Sequence, residues 1–226
     1  MLKVELHAHT DQDPADRIAH STEELIDRAA HLGYHALAVT LHDRYFDPSK
    51  WHDYASTRGV VLLSGIERTV VGRHLLLINF PSSIIGVYTF RGLEAARAET
   101  PNGLVVAPHP YYPSRTAIGP SLDQVAPLID AIEINAMYTK RLDFNRRAAA
   151  WARSQGKPMV GNSDVHLLEQ MGTTYSLVDA APDPNAICDA IRNGRVTVES
   201  SPLTELQAVS IFSRMLWGGA RGRLGV

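Results

Sequence analysis

The stretch LKVELHAHT, residues 2–10, decides the fold and the kind of site that this sequence predicts. Its apolar residues predict a short strand over residues 2–6, and two histidines, His7 and His9, follow directly. Side chains two positions apart on a strand point to the same face, so His7 and His9 can bind one metal ion together. The pair is a weak signal alone, because histidines at strand ends often only cap hydrogen bonds.

The alternation of a short apolar run with an amphipathic stretch recurs along the chain. Ser21 and Glu24 have the spacing of a capping box, which places the start of a first helix over residues 22–32. Further strands are predicted over residues 36–40, 60–63, 75–80, 104–107, 131–135, 158–161, 175–178 and 196–198, and further helices near residues 93–98, 143–154 and 185–193. This order predicts an α/β fold with parallel strands, closed into a TIM-like (β/α) barrel. A doubly wound open sheet is the alternative, but no glycine-rich phosphate-binding sequence follows the first strand.

Composition limits the function classes. The chain has 226 residues, of which 45% are hydrophobic and 20% charged, and we expect residues 1–226 to form one domain, with a final packing helix in the tail after Pro202. A net charge of −2 disfavours long nucleic acids and anionic membranes as partners. The single cysteine, Cys188, excludes an internal disulfide, and no apolar run is long enough to span a membrane, so a soluble cytoplasmic protein is expected.

Histidines and acids follow several of the predicted strands. The carboxyl ends of parallel strands in a barrel meet at one face, so we expect these side chains to converge there. The candidate metal ligands are His7, His9, His42, Glu67, His74, His109, Asp164 and His166, with one acid near Asp13. Imidazole and carboxylate without thiolate suit Zn, Mn or Fe. One tetrahedral ion needs only about four ligands, so the set predicts two or three divalent metal ions, with Glu67 as a bridge.

The order of these motifs resembles the PHP (polymerase and histidinol phosphatase) domain family. The motifs that carry the resemblance are His7-x-His9-Thr10, Thr40-x-His42, Gly65-x-Glu67, His74-Leu-Leu, Pro108-His109-Pro110, Ile132-Glu133-x-Asn135 and Ser163-Asp164-x-His166. The resemblance implies a distorted seven-stranded barrel, a trinuclear metal site and metal-dependent phosphoesterase activity. It implies as ligands the candidates above together with an acid after Thr10. Asp13 fits the spacing best, with Asp16 and His20 as alternatives.

The second motif departs from the family pattern. The family commonly has Thr-Asp-His, whereas this chain has Thr40-Leu41-His42-Asp43. The acid before the histidine is missing and one follows it instead. This leaves open which group orients the imidazole of His42.

The expected chemistry is attack of a metal-bridging hydroxide on the phosphorus of a small phosphomonoester or a short nucleotide. His109 or His166 would pass a proton to the leaving oxygen. Arg115, Lys140 and Arg141, which follow strand ends, are the candidates for phosphate binding. The alternatives are a metal-dependent amide or lactone hydrolase, and a metal-binding PHP module without catalysis.

Overall fold

The structure is a computed structural model that describes residues 1–223, with side chains described as far as residue 215. The strands are β1 (Leu2–Glu5), β2 (Ala36–Ala38), β3 (Val61–Leu63), β4 (Gly65–Val70), β5 (Arg73–Ile78), β6 (Leu104–Ala107), β7 (Ala131–Asn135), β8 (Met159–Asn162), β9 (Thr174–Val178) and β10 (Val196–Ser200). The helices are α1 (Thr22–His31), α2 (His52–Ser56), α3 (Phe90–Glu99), α4 (Leu122–Val125), α5 (Asn145–Ser154), α6 (Pro184–Arg192) and α7 (Glu205–Arg223).

The strands form two five-stranded sheets, in the orders β10-β9-β1-β2-β3 and β4-β5-β6-β7-β8. The α/β class is therefore confirmed, whereas the single closed seven-stranded barrel is not. Not all strands are parallel: β9 runs antiparallel to β1 and β10 in the first sheet, and β5 runs antiparallel to β4 in the second. Isolated parallel bridges between Ala8 and Val165 and between His42 and Glu67 connect the two sheets.

The hairpin of β4 and β5 corrects the expectation of parallel strands in this region. Residues 65–70 form a strand of their own, and Val71 and Gly72 make the turn with φ values of 50° and 71°. Since β5 returns antiparallel to β4, its first residues lie beside the last residues of β4, and Thr69 pairs with His74. A histidine at the start of β5 thus reaches the same edge as the carboxyl ends of the parallel strands.

Helix α1 fixes the loop that follows β1. The Ser21 side chain accepts a hydrogen bond from the Glu24 amide and the Glu24 carboxylate accepts one from the Ser21 amide, so the predicted capping box is confirmed. The apolar face of the helix buries Leu25, Ile26 and Ala29 in a hydrophobic cluster that also contains side chains of β2 and β3. Burying such side chains stabilises the fold by about 1.5–3 kcal/mol for each large one. The loop over residues 10–20 is therefore held at both ends.

The predicted final helix is α7. Its Ile211 is buried, and the Leu203 amide just before it donates to the Tyr138 carbonyl. The side chains of Leu216 and Trp217, and residues 224–226, lie outside the described part of the chain. Among the helices that are described, none is long and apolar enough to cross a membrane.

Candidate metal centre

Glu67 lies at the centre of the predicted ligand set. It is buried in β4, and its Oε2 atom lies 3.3 Å from His7 Nε2, 3.4 Å from His9 Nε2 and 3.2 Å from His42 Nε2. His7 and His9 come from the segment after β1, and His42 is bridged to Glu67 through the backbone. One carboxylate oxygen thus faces the same nitrogen of three imidazoles from two different loops.

The other oxygen of Glu67 faces two further histidines. Oε1 lies 2.7 Å from His74 Nδ1 at the start of β5 and 3.4 Å from His109 Nε2 after β6. Burial alone would raise the pKa of the Glu67 carboxyl, but the charges and hydrogen bonds of the surrounding imidazoles lower that pKa well below its usual value. Glu67 is therefore a carboxylate with both oxygens directed at nitrogen ligands.

Asp164 and His166 close the set from the segment after β8. Asp164 Oδ1 lies 3.3 Å from His7 Nε2 and 3.4 Å from His166 Nδ1. Val165 positions them, because its amide donates to the His7 carbonyl and its carbonyl accepts from the His9 amide. Asp164 has a φ of 53°, a left-handed conformation that costs free energy in a residue with a side chain and that is frequent at functional sites.

Asp13 also reaches the cluster, but on the outer side of the imidazoles. Its Oδ2 atom lies 2.8 Å from His9 Nδ1 and 3.0 Å from His42 Nδ1, and it accepts the His42 backbone amide at 2.9 Å. Burial would raise the pKa of the Asp13 carboxyl, but the hydrogen bonds from His42 and His9 outweigh it and lower that pKa. Asp13 therefore holds the Nδ1 atoms of two histidines whose Nε2 atoms face Glu67.

The two alternatives to Asp13 differ in their contacts. Asp16 Oδ2 lies 3.1 Å from His166 Nε2 and 3.8 Å from His42 Nδ1, so this acid also reaches the cluster. His20 donates from Nε2 to the backbone carbonyl of His9 at 2.8 Å. Its nearest polar contact is thus with the main chain of the loop.

The altered second motif has a structural explanation. Leu41 is buried in an apolar cluster, and Asp43 accepts hydrogen bonds from the Arg68 guanidinium at 2.6 Å and from the Thr69 amide at 2.8 Å. Asp43 is therefore directed at β4 and does not replace the missing acid beside His42. Asp13, from another loop, contacts His42 Nδ1 instead.

Glu133 is a further buried acid, to which the sequence alone assigned no contact. Its Oε2 atom lies 2.8 Å from His7 Nδ1, and its two oxygens also accept from Asn162 at 3.3 Å and Asn135 at 2.7 Å. The sequence carries a signal for it, since Glu133 and Asn135 alternate with isoleucines along β7.

Glu5, two residues before His7, is a second acid that is fully buried. Burial raises the pKa of its carboxyl to about 8.

Comparisons with known proteins agree with this arrangement. Residues 143–196 match a sequence family described as PHP-associated. A two-domain protein from Bacteroides vulgatus contains a predicted PHP-like metal-dependent phosphoesterase and superposes on this chain with a TM-score of 0.66 at 19% sequence identity. The matched region covers 95% of this chain and 69% of the Bacteroides protein. The chain has the PHP fold.

Two other solved structures share this PHP fold. PsfC from Pseudomonas syringae superposes with a TM-score of 0.66 at 15% identity over 99% of this chain and 98% of its own. The lesion-specific endonuclease PfuEndoQ from Pyrococcus furiosus has a TM-score of 0.56 at 15% identity over 93% of this chain and 66% of its own. No curated protein sequence matches the chain significantly. At these identities the likeness concerns the fold.

The donor atoms of this cluster fit divalent metal ions. Several groups of three ligand atoms lie within 4.8 Å of one another, for example those of His7, His109 and Asp164 and those of His42, Glu67 and His74. The Nε2 atom of His9 is buried and has no hydrogen-bond partner within the described chain. A buried polar atom without a partner is costly, so an added ligand at this position would relieve a penalty.

A cavity of about 310 Å³ opens over this cluster. Its lining includes His42, Glu67, His74, His109, Asp164 and His166. The candidates for phosphate binding, Arg115, Lys140 and Arg141, do not line it and are exposed. Arg141 lies 3.9 Å from Glu205 of α7. These three side chains therefore do not reach the cavity in this structure, and their binding of phosphate stays a prediction.

Proposed function

We propose that this PHP domain is a metal-dependent phosphoesterase that hydrolyses a small phosphomonoester or a short nucleotide. The observation that carries the proposal is the position of Glu67, whose two oxygens lie within 3.4 Å of nitrogens of five imidazoles. A buried carboxylate among that many imidazoles is typical of a bridging ligand between metal ions.

The proposed ligands are the residues predicted from the sequence that the structure brings together. They are His7, His9, His42, Glu67, His74, His109, Asp164 and His166, holding two or three divalent ions such as Zn, Mn or Fe. For Asp13 we propose an orienting contact, because its oxygen faces Nδ1 of His9 and His42 and leaves Nε2 for a metal. Asp16 is then the acid of this loop that is placed to add a ligand beside His166.

Divalent ions bound at this centre supply Lewis-acid activation of water and neutralise the charge of the phosphoryl oxygens. The residues of the chain supply the geometry. Glu133 and Asp13 fix the ring orientations of His7, His9 and His42, so that little reorganisation is needed when the substrate binds. His166 lines the cavity with Asp16 3.1 Å from its Nε2 atom, and we propose that this histidine would pass a proton to the leaving oxygen when no metal occupies that nitrogen.

The same proposal covers the architecture and the substrate size. We take β1, β2 and β4 to β8, joined through the bridges at Ala8 and His42, as the ring of a distorted seven-stranded PHP barrel within one domain of residues 1–226.

A cavity of about 310 Å³ suits a small ligand. Although the structurally similar PfuEndoQ is an endonuclease, the net charge of −2 favours a small substrate over a long nucleic acid here.

The proposal is tested by measuring bound metal and hydrolysis together. The full chain, loaded with Mn or Zn, is assayed against a panel of phosphomonoesters, phosphodiesters, carboxyl esters, lactones and amides, beside the variant Glu67→Gln. We expect hydrolysis of a phosphate ester, its loss with chelator, and a fall of about a thousandfold or more in Glu67→Gln.

The matched control is His52→Ala. This histidine lies in α2, is 75% exposed and is outside the cluster, so its removal is expected to change neither metal content nor rate. Bound metal with no hydrolysis of any phosphate ester would overturn the proposal, as would faster hydrolysis of amides or lactones than of phosphates.

A further inference from the structure

The lining of the cavity over the metal centre combines two kinds of side chain. One is the cluster of imidazoles and carboxylates. The rest includes the neutral polar residues Ser114, Thr116 and Asn135, and Tyr112, Pro113, Met137, Phe212 and Met215, which are largely apolar. A ligand whose phosphate lies at the cluster therefore has apolar side chains within the same cavity for its remaining atoms.

Helix α7 brings two of these side chains, and it is anchored to the rest of the chain. Ile211 is buried at 5% exposure, and the guanidinium of Arg214 pairs with Glu169 at 2.5 Å. Between these anchors Phe212 remains 58% exposed. A large aromatic side chain that is fixed at a cavity and still exposed gains free energy when a ligand covers it.

Among the described residues that line the cavity, the side chains that can carry a positive charge are the imidazoles of the cluster. Over the described part of the chain, none of the residues that line it is a lysine or an arginine. Ser114 and Thr116, which do line it, are hydrogen-bonded to each other at 2.7 Å. A second phosphate or another anionic group that lies away from the cluster would thus find no lysine or arginine to pair with, and its desolvation would not be compensated.

We infer that the substrate is an ester of a single phosphate whose esterified group is uncharged and apolar, of about the size of one aromatic ring, packed against Phe212, Met215 and Met137. This inference rests on the proposed function, because it places the phosphate at the metal centre. It narrows that function to one class of leaving group, and it makes α7 the element that determines specificity.

The inference is tested with two phosphonates that cannot be hydrolysed. Binding of phenylphosphonate and of methylphosphonate to the metal-loaded full chain is measured by titration calorimetry, in the wild type and in Phe212→Ala. We expect the wild type to bind the phenyl compound about tenfold or more tightly than the methyl compound, because the ring buries additional apolar surface. In Phe212→Ala the ratio should fall to about threefold or less, while methylphosphonate affinity stays unchanged.

Leu206→Ala is the matched control, since Leu206 lies on the same helix at 84% exposure and does not line the cavity. It should keep the wild-type ratio. Equal affinity of the wild type for the two phosphonates, or an unchanged ratio in Phe212→Ala, would overturn the inference and leave the proposed function standing. Failure of the metal-loaded protein to bind either compound would overturn the proposed function and the inference with it.

Discussion

Asp13 Oδ2 lies 3.0 Å from Nδ1 of His42, which is the nitrogen turned away from Glu67. The contact joins the loop after β1 to the segment after β2, and the same oxygen also accepts from the His42 backbone amide. It thereby orients a histidine that has a leucine, Leu41, where the PHP pattern has an acid. The structure thus offers a substitute for the missing group from a distant part of the sequence.

The first prediction concerns this contact. Asp13→Asn should keep the wild-type number of bound metal ions but weaken their affinity by about ten- to a hundredfold, as is common for groups that orient metal-bound histidines. Metal content after dialysis and affinity by competition with a chelator measure the two quantities. Asp11→Asn, an exposed acid of the same loop, is the control and should change neither. Loss of one whole ion in Asp13→Asn would instead identify Asp13 as a direct ligand, as the spacing of the sequence suggests.

The second prediction concerns Glu133. Both of its oxygens accept hydrogen bonds, from His7 and Asn162 on one and from Asn135 on the other. In Glu133→Gln the side-chain NH₂ group must face one of the three groups that now donate to Glu133. The hydrogen bond that fixes the proton of His7 on Nδ1 is then weakened, and the tautomer that leaves Nε2 free for a metal is no longer favoured. We expect metal affinity to fall about ten- to a hundredfold.

Calorimetry with a competing chelator measures that fall, and near-UV circular dichroism tests that the fold is kept. Glu94→Gln, an exposed acid on α3, is the comparison and should behave as the wild type. An unchanged affinity in Glu133→Gln would show that the hydrogen bond to His7 is not needed for metal binding.

The extent to which the sequence predicts this structure differs between elements. The strands and helices that follow hydrophobic periodicity, such as α1 with its capping box, form where expected because local patterns and caps determine them. The convergence of His7, His109 and Asp164 also follows, since strand ends meet at one edge, whereas Glu67 reaches the cluster from within β4. The assignment to the PHP fold is confirmed by the comparisons.

Strand direction and loop contacts could not be predicted. The hairpin of β4 and β5 depends on a two-residue turn at Val71 and Gly72 and on pairing between strands, which no local pattern reveals. The roles of Asp13 and Asp16 depend on where a long loop folds back. The exposure of Arg115 and the position of Phe212 at the cavity depend likewise on tertiary contacts, because the same sequence spacing allows a side chain to face either the site or solvent.

The third prediction concerns metal removal. Without ions, buried carboxylates and imidazoles are crowded at the centre, and ions that bind only the folded state stabilise it. Adding Mn or Zn to chelator-treated protein should therefore raise the melting temperature, by an amount that grows with metal concentration and corresponds to about 2.7 kcal/mol at a hundredfold excess over Kd. Differential scanning calorimetry measures it. Ca, which prefers oxygen ligands, serves as the comparison and should have a much smaller effect. A melting temperature that is the same with and without Mn or Zn would contradict the proposed centre.

The fourth prediction concerns Cys188, which is fully buried on α6. Burial raises the pKa of its thiol to about 12, because the thiolate is the charged form. The folded state then binds the proton more tightly than the unfolded state, whose thiol has a pKa of about 8.5, so this group's contribution to stability is lost as pH rises above about 9.

At pH 8 we therefore expect the native protein to react with a thiol reagent such as dithiobisnitrobenzoate at least about a hundredfold more slowly than the protein unfolded in guanidinium. The absorbance of the released thiolate measures both rates on one sample. Equal rates before and after unfolding would show that α6 does not protect this side chain.

The central claim is that Glu67 bridges metal ions held by the histidines around it. Crystals of the full chain grown with Mn or Zn, with diffraction data collected on both sides of the metal absorption edge, test it most directly. The claim predicts at least two anomalous peaks on opposite oxygens of Glu67, each about 2.0–2.2 Å from a carboxylate oxygen, with His7 or His9 beside one and His74 or His109 near another. Metal peaks elsewhere on the protein and none at Glu67 would contradict it.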